Sequence, residues 1–231
     1  MNAPVSKPNK IILILALGLI LFITWRVLVI GMSEYYVEKA MSGDTAAIKS
    51  ALSWNANHPR AQYLQALQLI ESDPVRAEEL LKSSLLSNPT DVVAIQVMAE
   101  LKLAIGDQQA ANKLMTESSR LAPANRSVRK RAGAYWARTG QWDNAISEWK
   151  DALTTSPELG SEIFPILLQL AESGETIAYL NPLIEQPPAW WNSFIEFISV
   201  KAENLDTVLN IAALRSKSGT PLNAEERQYV V

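Results

Sequence analysis

Three prolines, Pro89, Pro123 and Pro157, recur at i, i+34 and i+68, and no other feature constrains the fold of this 231-residue chain as strongly. Ala77, Ala111 and Ala145 return at the same interval, each twelve residues before its proline. Gly106 and Gly140 share a third phase. Coincident periods of this length mark a chain built from repeated supersecondary units, each burying its apolar face against the next.

In its residue types the period resembles the tetratricopeptide repeat, a helix–turn–helix unit. The copy at 126–159 is the most complete, with Gly133, Trp136, Gly140, Trp142, Ala145, Trp149, Ala152 and Pro157. The copy at 92–125 keeps Ala99, Gly106, Ala111 and Pro123, with Lys102 and Met115 at the aromatic positions. The copy at 58–91 keeps Ala77, Leu81 and Pro89, and a degenerate half-copy with Ala47 and Pro59 precedes it. Small Ala and Gly let paired helices approach, larger Leu, Trp and Met fill the gaps, and Pro ends each second helix. The resemblance implies an all-α fold, a right-handed α-solenoid of hairpins over 33–159 whose first helices line a concave, protein-binding groove.

Residues 11–25 form an apolar run whose only polar member is Thr24, and after Arg26 the run resumes to Met32. As one helix, 11–32 is about 33 Å long, enough to cross a bilayer core of about 30 Å. Arg26 either snorkels to the headgroups or marks the interface, with 27–32 already in contact with the domain that follows. A cleaved signal is the weaker reading, since Gly31-Met32-Ser33 is a poor cleavage site. Lys7 and Lys10 precede the span, while Glu34, Glu38 and Lys39 follow it. The positive-inside rule therefore places a tail of residues 1–10 in the cytoplasm. It leaves an inner-membrane helix with the remainder periplasmic or otherwise extracytoplasmic.

Beyond Pro157 the period is lost while helical texture continues. Helices are expected over 160–172, 176–185, 189–202 and 205–217, with a break at Pro187-Pro188 and a loop at 218–221. Asn223 and Glu226 form a capping pair for a last helix. The apolar end Tyr229-Val230-Val231 reads as either a short lid or the edge of a longer protein, with truncation favoured.

Composition narrows the chemistry. The absence of Cys excludes thiolate catalysis, disulfides and Cys-ligated metals, and the single His58 excludes a multi-His metal site within one chain. His58, between Asn57 and Pro59, reads as a surface turn residue. Glu78-Glu79 and Glu225-Glu226 diverge by about 100° on a helix and cannot act as acid–base pairs. No phosphate loop or nucleophile elbow is present, so no enzyme, cofactor or metal is expected. Nucleic acid is disfavoured by the net charge of −3.

Charge is nevertheless uneven, with 17 basic and 14 acidic residues over 1–157 against 4 and 10 over 158–231. No acidic residue lies between Glu117 and Asp143, an interval holding Arg120, Arg126, Arg129, Lys130, Arg131 and Arg138. On a groove, Arg126, Lys130, Arg131 and Arg138 would attract carboxylates, phosphates or an anionic glycan. On a solvated face, the same residues would be balanced by Glu148, Asp151 and the acidic C-terminal half. Some tetratricopeptide proteins clamp a partner's terminal carboxylate. The equivalent positions here are Gln62, Ala66, Gln96, Glu100, Lys130 and Ala134, of which only Lys130 has suitable character. Trp190 and Trp191 offer either an aromatic surface for sugar rings or a partner helix, or the core of their own hairpin.

The expected function is a membrane-anchored, non-catalytic scaffold or assembly factor for other envelope proteins. Surface-polysaccharide export or assembly is one setting. Alternatives are a periplasmic chaperone for exported proteins or apocytochromes, the neck of a longer enzyme, or a glycan-binding module.

Overall fold

A computed structural model of the chain describes residues 10–217, 219 and 222–228. Lys7, most of the expected 218–221 loop and the Tyr229–Val231 end lie outside the described residues. Those residues form helices and no strands, grouped in two compact units that divide between Ala111 and Asn112.

The first unit contains α1 (Lys10–Met41), α2 (Ala47–Trp54), α3 (Pro59–Leu69), α4 (Pro74–Ser87) and α5 (Val92–Ala104). The helix starts are written locally. His58, Asp73 and Asp91 are N-caps whose side chains accept backbone N–H groups of the first turn, and Pro59 and Pro74 follow two of them. Asp73 and Asp107 are separated by the same interval as the prolines, and so are Asp91 and Asn125. The caps are thus two further phases of the repeat, written in short polar side chains rather than in the small and apolar ones.

Helix α1 is uninterrupted over 32 residues and is long and apolar enough to cross a membrane, by length and composition. Residues 11–28 are exposed throughout, whereas Val29, Ser33, Val37 and Ala40 are buried at helical spacing. The second stripe is the packing face of the degenerate first hairpin. Val37 packs with Ala51 and Ala61, and the Ser33 hydroxyl donates to the Ala51 carbonyl at 3.0 Å. Burial of α1 thus begins at Val29, inside the apolar run.

His58 departs from its expected surface position. It is 8% exposed, with Nε2 2.8 Å from Glu34 Oε2 and Nδ1 accepting the Ala61 N–H at 3.3 Å. An accepting Nδ1 leaves Nε2 as the donor to Glu34, so the ring ties α3 to α1. Farther along, Glu78 of α4 meets Lys102 of α5 at 2.8 Å and Lys82 at 2.5 Å.

The second unit begins within α6 (Gln108–Leu121) and continues through α7 (Arg126–Arg138), α8 (Trp142–Thr155) and α9 (Gly160–Glu172). The turn between α7 and α8 uses Gly140 at φ +75°, a left-handed conformation that only glycine adopts without strain. Gly133 has a different task. A Cβ there would lie 2.3 Å from Trp149 Nε1, so only glycine lets the buried indole cross α7, where it donates to the Lys130 carbonyl at 3.4 Å.

Next come α10 (Asn181–Glu185), α11 (Trp191–Lys201), α12 (Leu205–Lys217) and α13 (Ala224–Gln228). The helix expected over 176–185 is divided into a 3₁₀ turn at Ile177–Leu180 and α10. Pro182 has no N–H to bond Ala178, so the ladder breaks there. Asn223 and Glu226 form the expected reciprocal cap, with N···O distances of 2.6 and 2.8 Å. Glu226 also meets the buried Arg215, which donates to the Ile184 carbonyl at 2.9 Å.

Two outcomes follow from this packing. Gly133→Ala is expected to cost about 1–3 kcal/mol through overpacking, read as a lowered denaturation midpoint, and Trp149→Leu in the same chain should recover part of it. The Lys102 and Lys82 ammoniums hold the Glu78 carboxyl below its ordinary value. Its stabilising contribution is therefore complete above the ordinary carboxylate pKa and is lost as pH falls through the depressed one. Glu78→Gln should lower the melting temperature at pH 7, and the gap to the parent should close in strongly acidic buffer.

Candidate functional site

A cavity of about 460 Å³ opens between α7 and α9 in the second unit, lined by Ser127, Lys130, Arg131 and Ala134 from α7 and by Glu162, Ile163 and Ile166 from α9. Trp149 of α8 also lines it. The walls are apolar at Ala134, Ile163 and Ile166, while Lys130 and Arg131 bring positive charge from α7 and Glu162 a negative one from α9.

The basic stripe that faces this region is largely neutralised by the chain itself. Arg126 pairs with Glu158, and Lys130 meets Glu162 at 2.9 Å. Arg129 is mostly buried, bonded to Glu148 at 2.8 Å, Asp151 at 3.3 Å and the Pro123 carbonyl at 3.0 Å. Arg120 pairs with Glu117 on its own helix at 2.5 Å, and the guanidinium holds the Glu117 carboxyl below its ordinary range. Arg138 is exposed at the far end of α7 and lies outside the cavity lining.

Arg131 differs from these. It is half-buried on the cavity wall and has no ion-pair or hydrogen-bond partner among the described residues. Its guanidinium presents a planar set of donors beside an apolar trough, which suits a carboxylate next to an apolar side chain.

Other expected site residues fall elsewhere. Gln62 and Gln96 are buried at 5% and 2% exposure in the first unit, and the Gln62 amide is turned inward to the Ala56 carbonyl at 2.9 Å. They are packing residues rather than groove contacts. Glu100 is half-buried on α5 in the same unit. Trp190 and Trp191 are 4% and 1% exposed, which removes the aromatic surface proposed for sugar rings. Their burial has a local cause: Phe164 of α9 packs on Trp190, Phe194 and Phe197, and Trp190 Nε1 donates to the Lys150 carbonyl at 3.3 Å. Ile163 and Ile166 escaped the sequence reading because they lie beyond the last periodic copy. A second cavity, of about 450 Å³, lies between the end of α9 and α12. Its Glu172 carboxylate is engaged by the Glu203 N–H at 3.0 Å.

No family model matches the sequence, and no curated protein matches it. Solved structures do. The crystal structure of MamA protein superposes with a TM-score of 0.50 at 15% identity, covering 78% of this chain and 96% of that one. Pseudomonas aeruginosa pilF also gives 0.50, at 16% identity, covering 90% of this chain and 87% of its own. Both contain tetratricopeptide repeats. The fold is tetratricopeptide-like. At these identities the likeness concerns architecture and carries no partner with it.

The ion pairs separate two kinds of arginine. Arg129→Glu places a carboxylate against Glu148 and Asp151 and is expected to destabilise the chain by roughly 2 kcal/mol or more. Arg131→Glu should change stability by no more than about 0.5 kcal/mol. Parallel denaturant titrations of the two variants check the contrast.

Proposed function

We propose that the chain is a membrane-anchored, non-catalytic scaffold that holds segments of other proteins in the groove between α7 and α9. Tetratricopeptide-like neighbours support protein interaction at the level of the fold. The observation that carries the site is Arg131, a half-buried cation without an ion-pair partner among the described residues, beside Ala134, Ile163 and Ile166. Its match is an extended protein segment with an acidic side chain or terminal carboxylate next to a branched apolar residue. A protein segment is favoured over an anionic glycan because the indoles that would have stacked on sugar rings are inside the core.

In this reading α1 spans the membrane, Lys7 and Lys10 keep its start in the cytoplasm, and the helical units work on the extracytoplasmic side among envelope proteins. A photo-crosslinking amino acid at the exposed Ala134 of the full chain, in native membranes, tests it. A small set of partner adducts is expected. Arg131→Glu should reduce their yield about tenfold, the scale of one charge-assisted contact. Equal yields from parent and variant would sink the groove assignment, and a diffuse spread over many unfolded exported proteins would indicate a chaperone instead.

A further inference from the structure

Because α1 passes without a break from its lipid-compatible stretch into the first hairpin, the helix also sets where the first unit stands relative to a bilayer. Residues 11–28 are exposed on every side, a length of about 27 Å, close to the thickness of a hydrocarbon core. From Val29 onward one face of α1 is covered by α2 and cannot meet lipid. The edge of the hydrocarbon therefore falls near Leu28. At this level two indoles meet: Trp54, at the end of α2, has its ring centroid 6.5 Å from that of Trp25. Indoles concentrate at membrane–water boundaries because one part of the ring is apolar and the N–H stays wet. Arg26 lies between them and the edge, within snorkelling reach of headgroups.

We propose that the end of the first unit formed by the α2–α3 turn and the end of α4 rests on the lipid headgroup layer, with Trp25 and Trp54 at its boundary. The proposal rests on the reading of α1 as a membrane span. Heights along α1 support it. His58 is bonded to Glu34, six residues or about 9 Å beyond Leu28. The end of α4 is level with it, since the Ser84 hydroxyl donates to the Pro59 carbonyl at 2.9 Å. Helix α4 runs back toward the membrane, so Leu86 comes about 3 Å nearer. The headgroup layer is itself about 5–8 Å deep. Leu86 is an apolar side chain left 84% exposed at this end.

Charge follows the same axis. The near end, residues 54–60 and 85–90, contains no acidic residue, and the turns at the far end carry Asp44, Glu71 and Asp73. Two carboxylates do approach the near end. Glu34 is paired there with His58 and Arg60, and Asp91 is engaged in capping α5. Asp44 is bridged to Lys39 and Asp73 caps α4, so the far turns differ from the near ones by the Glu71 carboxylate, and anionic lipid meets no free negative charge on the two near turns.

The Cys-free chain permits a direct test. Single cysteines placed at Ala16, Ala56, Leu86, Thr45 and Ser72 of the full chain are labelled with an environment-sensitive nitrobenzoxadiazole dye. The protein is then reconstituted in vesicles of phosphatidylcholine and phosphatidylglycerol, with helicity checked by circular dichroism. The expected result is strongly blue-shifted emission at 16, an intermediate shift at both 56 and 86, and water-like emission at 45 and 72. If 16 is blue-shifted while 56 or 86 emits like 45 and 72, the docked face is overturned and the span survives. Equal shifts at all four positions outside the span overturn it as well. Water-like emission at 16 overturns the span and the docking together.

Discussion

Backbone-close packing of paired helices is the constraint on which everything else in this fold depends. Ala77, Ala111 and Ala145 are each fully buried, as are Ala61, Ala99 and Ala132. A larger side chain at any of them would push apart helices that bury apolar surface only by being close. Gly133 is the extreme case, because the Trp149 ring occupies the space of its missing Cβ. Within the α7–α8 hairpin the indole is held by Gly133 and the Lys130 carbonyl, and Ile163 of α9 lines the same cavity. Stacking supplies the rest, as it does in repeat folds generally, where each unit is stabilised by its neighbours.

The same packing decides what the charges can do. In sequence the stripe from Arg126 to Arg138 has no carboxylate near it. In space α9 returns alongside α7, where Glu158 meets Arg126 and Glu162 meets Lys130, the two pairs sharing one sequence offset. The shared offset shows one register operating twice. Arg131 lies one position beyond Lys130, about 100° round the helix, and lines the same cavity without sharing that ion pair. Of the cations on α7, Arg126 and Lys130 are bridged to carboxylates of the C-terminal half and Arg129 to Glu148 and Asp151, while Arg131 is half-buried with no ion-pair partner among the described residues.

Helix α1 joins two environments without a joint. Its positions up to Leu28 are exposed, with the Trp25 ring alone set against Trp54, and the stretch from Val29 to Met41 supplies the wall of the first hairpin. The hydroxyl of Ser33, buried against the Ala51 carbonyl, and the bond from His58 to Glu34 fasten that wall to α2 and α3. Motion of the first unit about the helix would have to break these contacts, since no loop intervenes to absorb a rotation.

The helical texture, the hairpin period, the glycine turns and the long apolar helix were legible in the chain because they depend on local rules. Proline ends a helix wherever it stands, glycine alone takes the φ of Gly140, and apolar run length is a property of consecutive residues. The Asn223–Glu226 cap was readable for the same reason. The fate of particular side chains was not. The core reading of Trp190 and Trp191 is borne out, but the ring that covers Trp190, Phe164, comes from α9, well upstream in the chain. His58 looked like an exposed turn until Glu34 came within 2.8 Å. Nor could the sequence separate Arg131 from its basic neighbours. Partnership between distant charges, and the burial of an aromatic ring, are set by which helix packs beside which, and only the tertiary structure decides that.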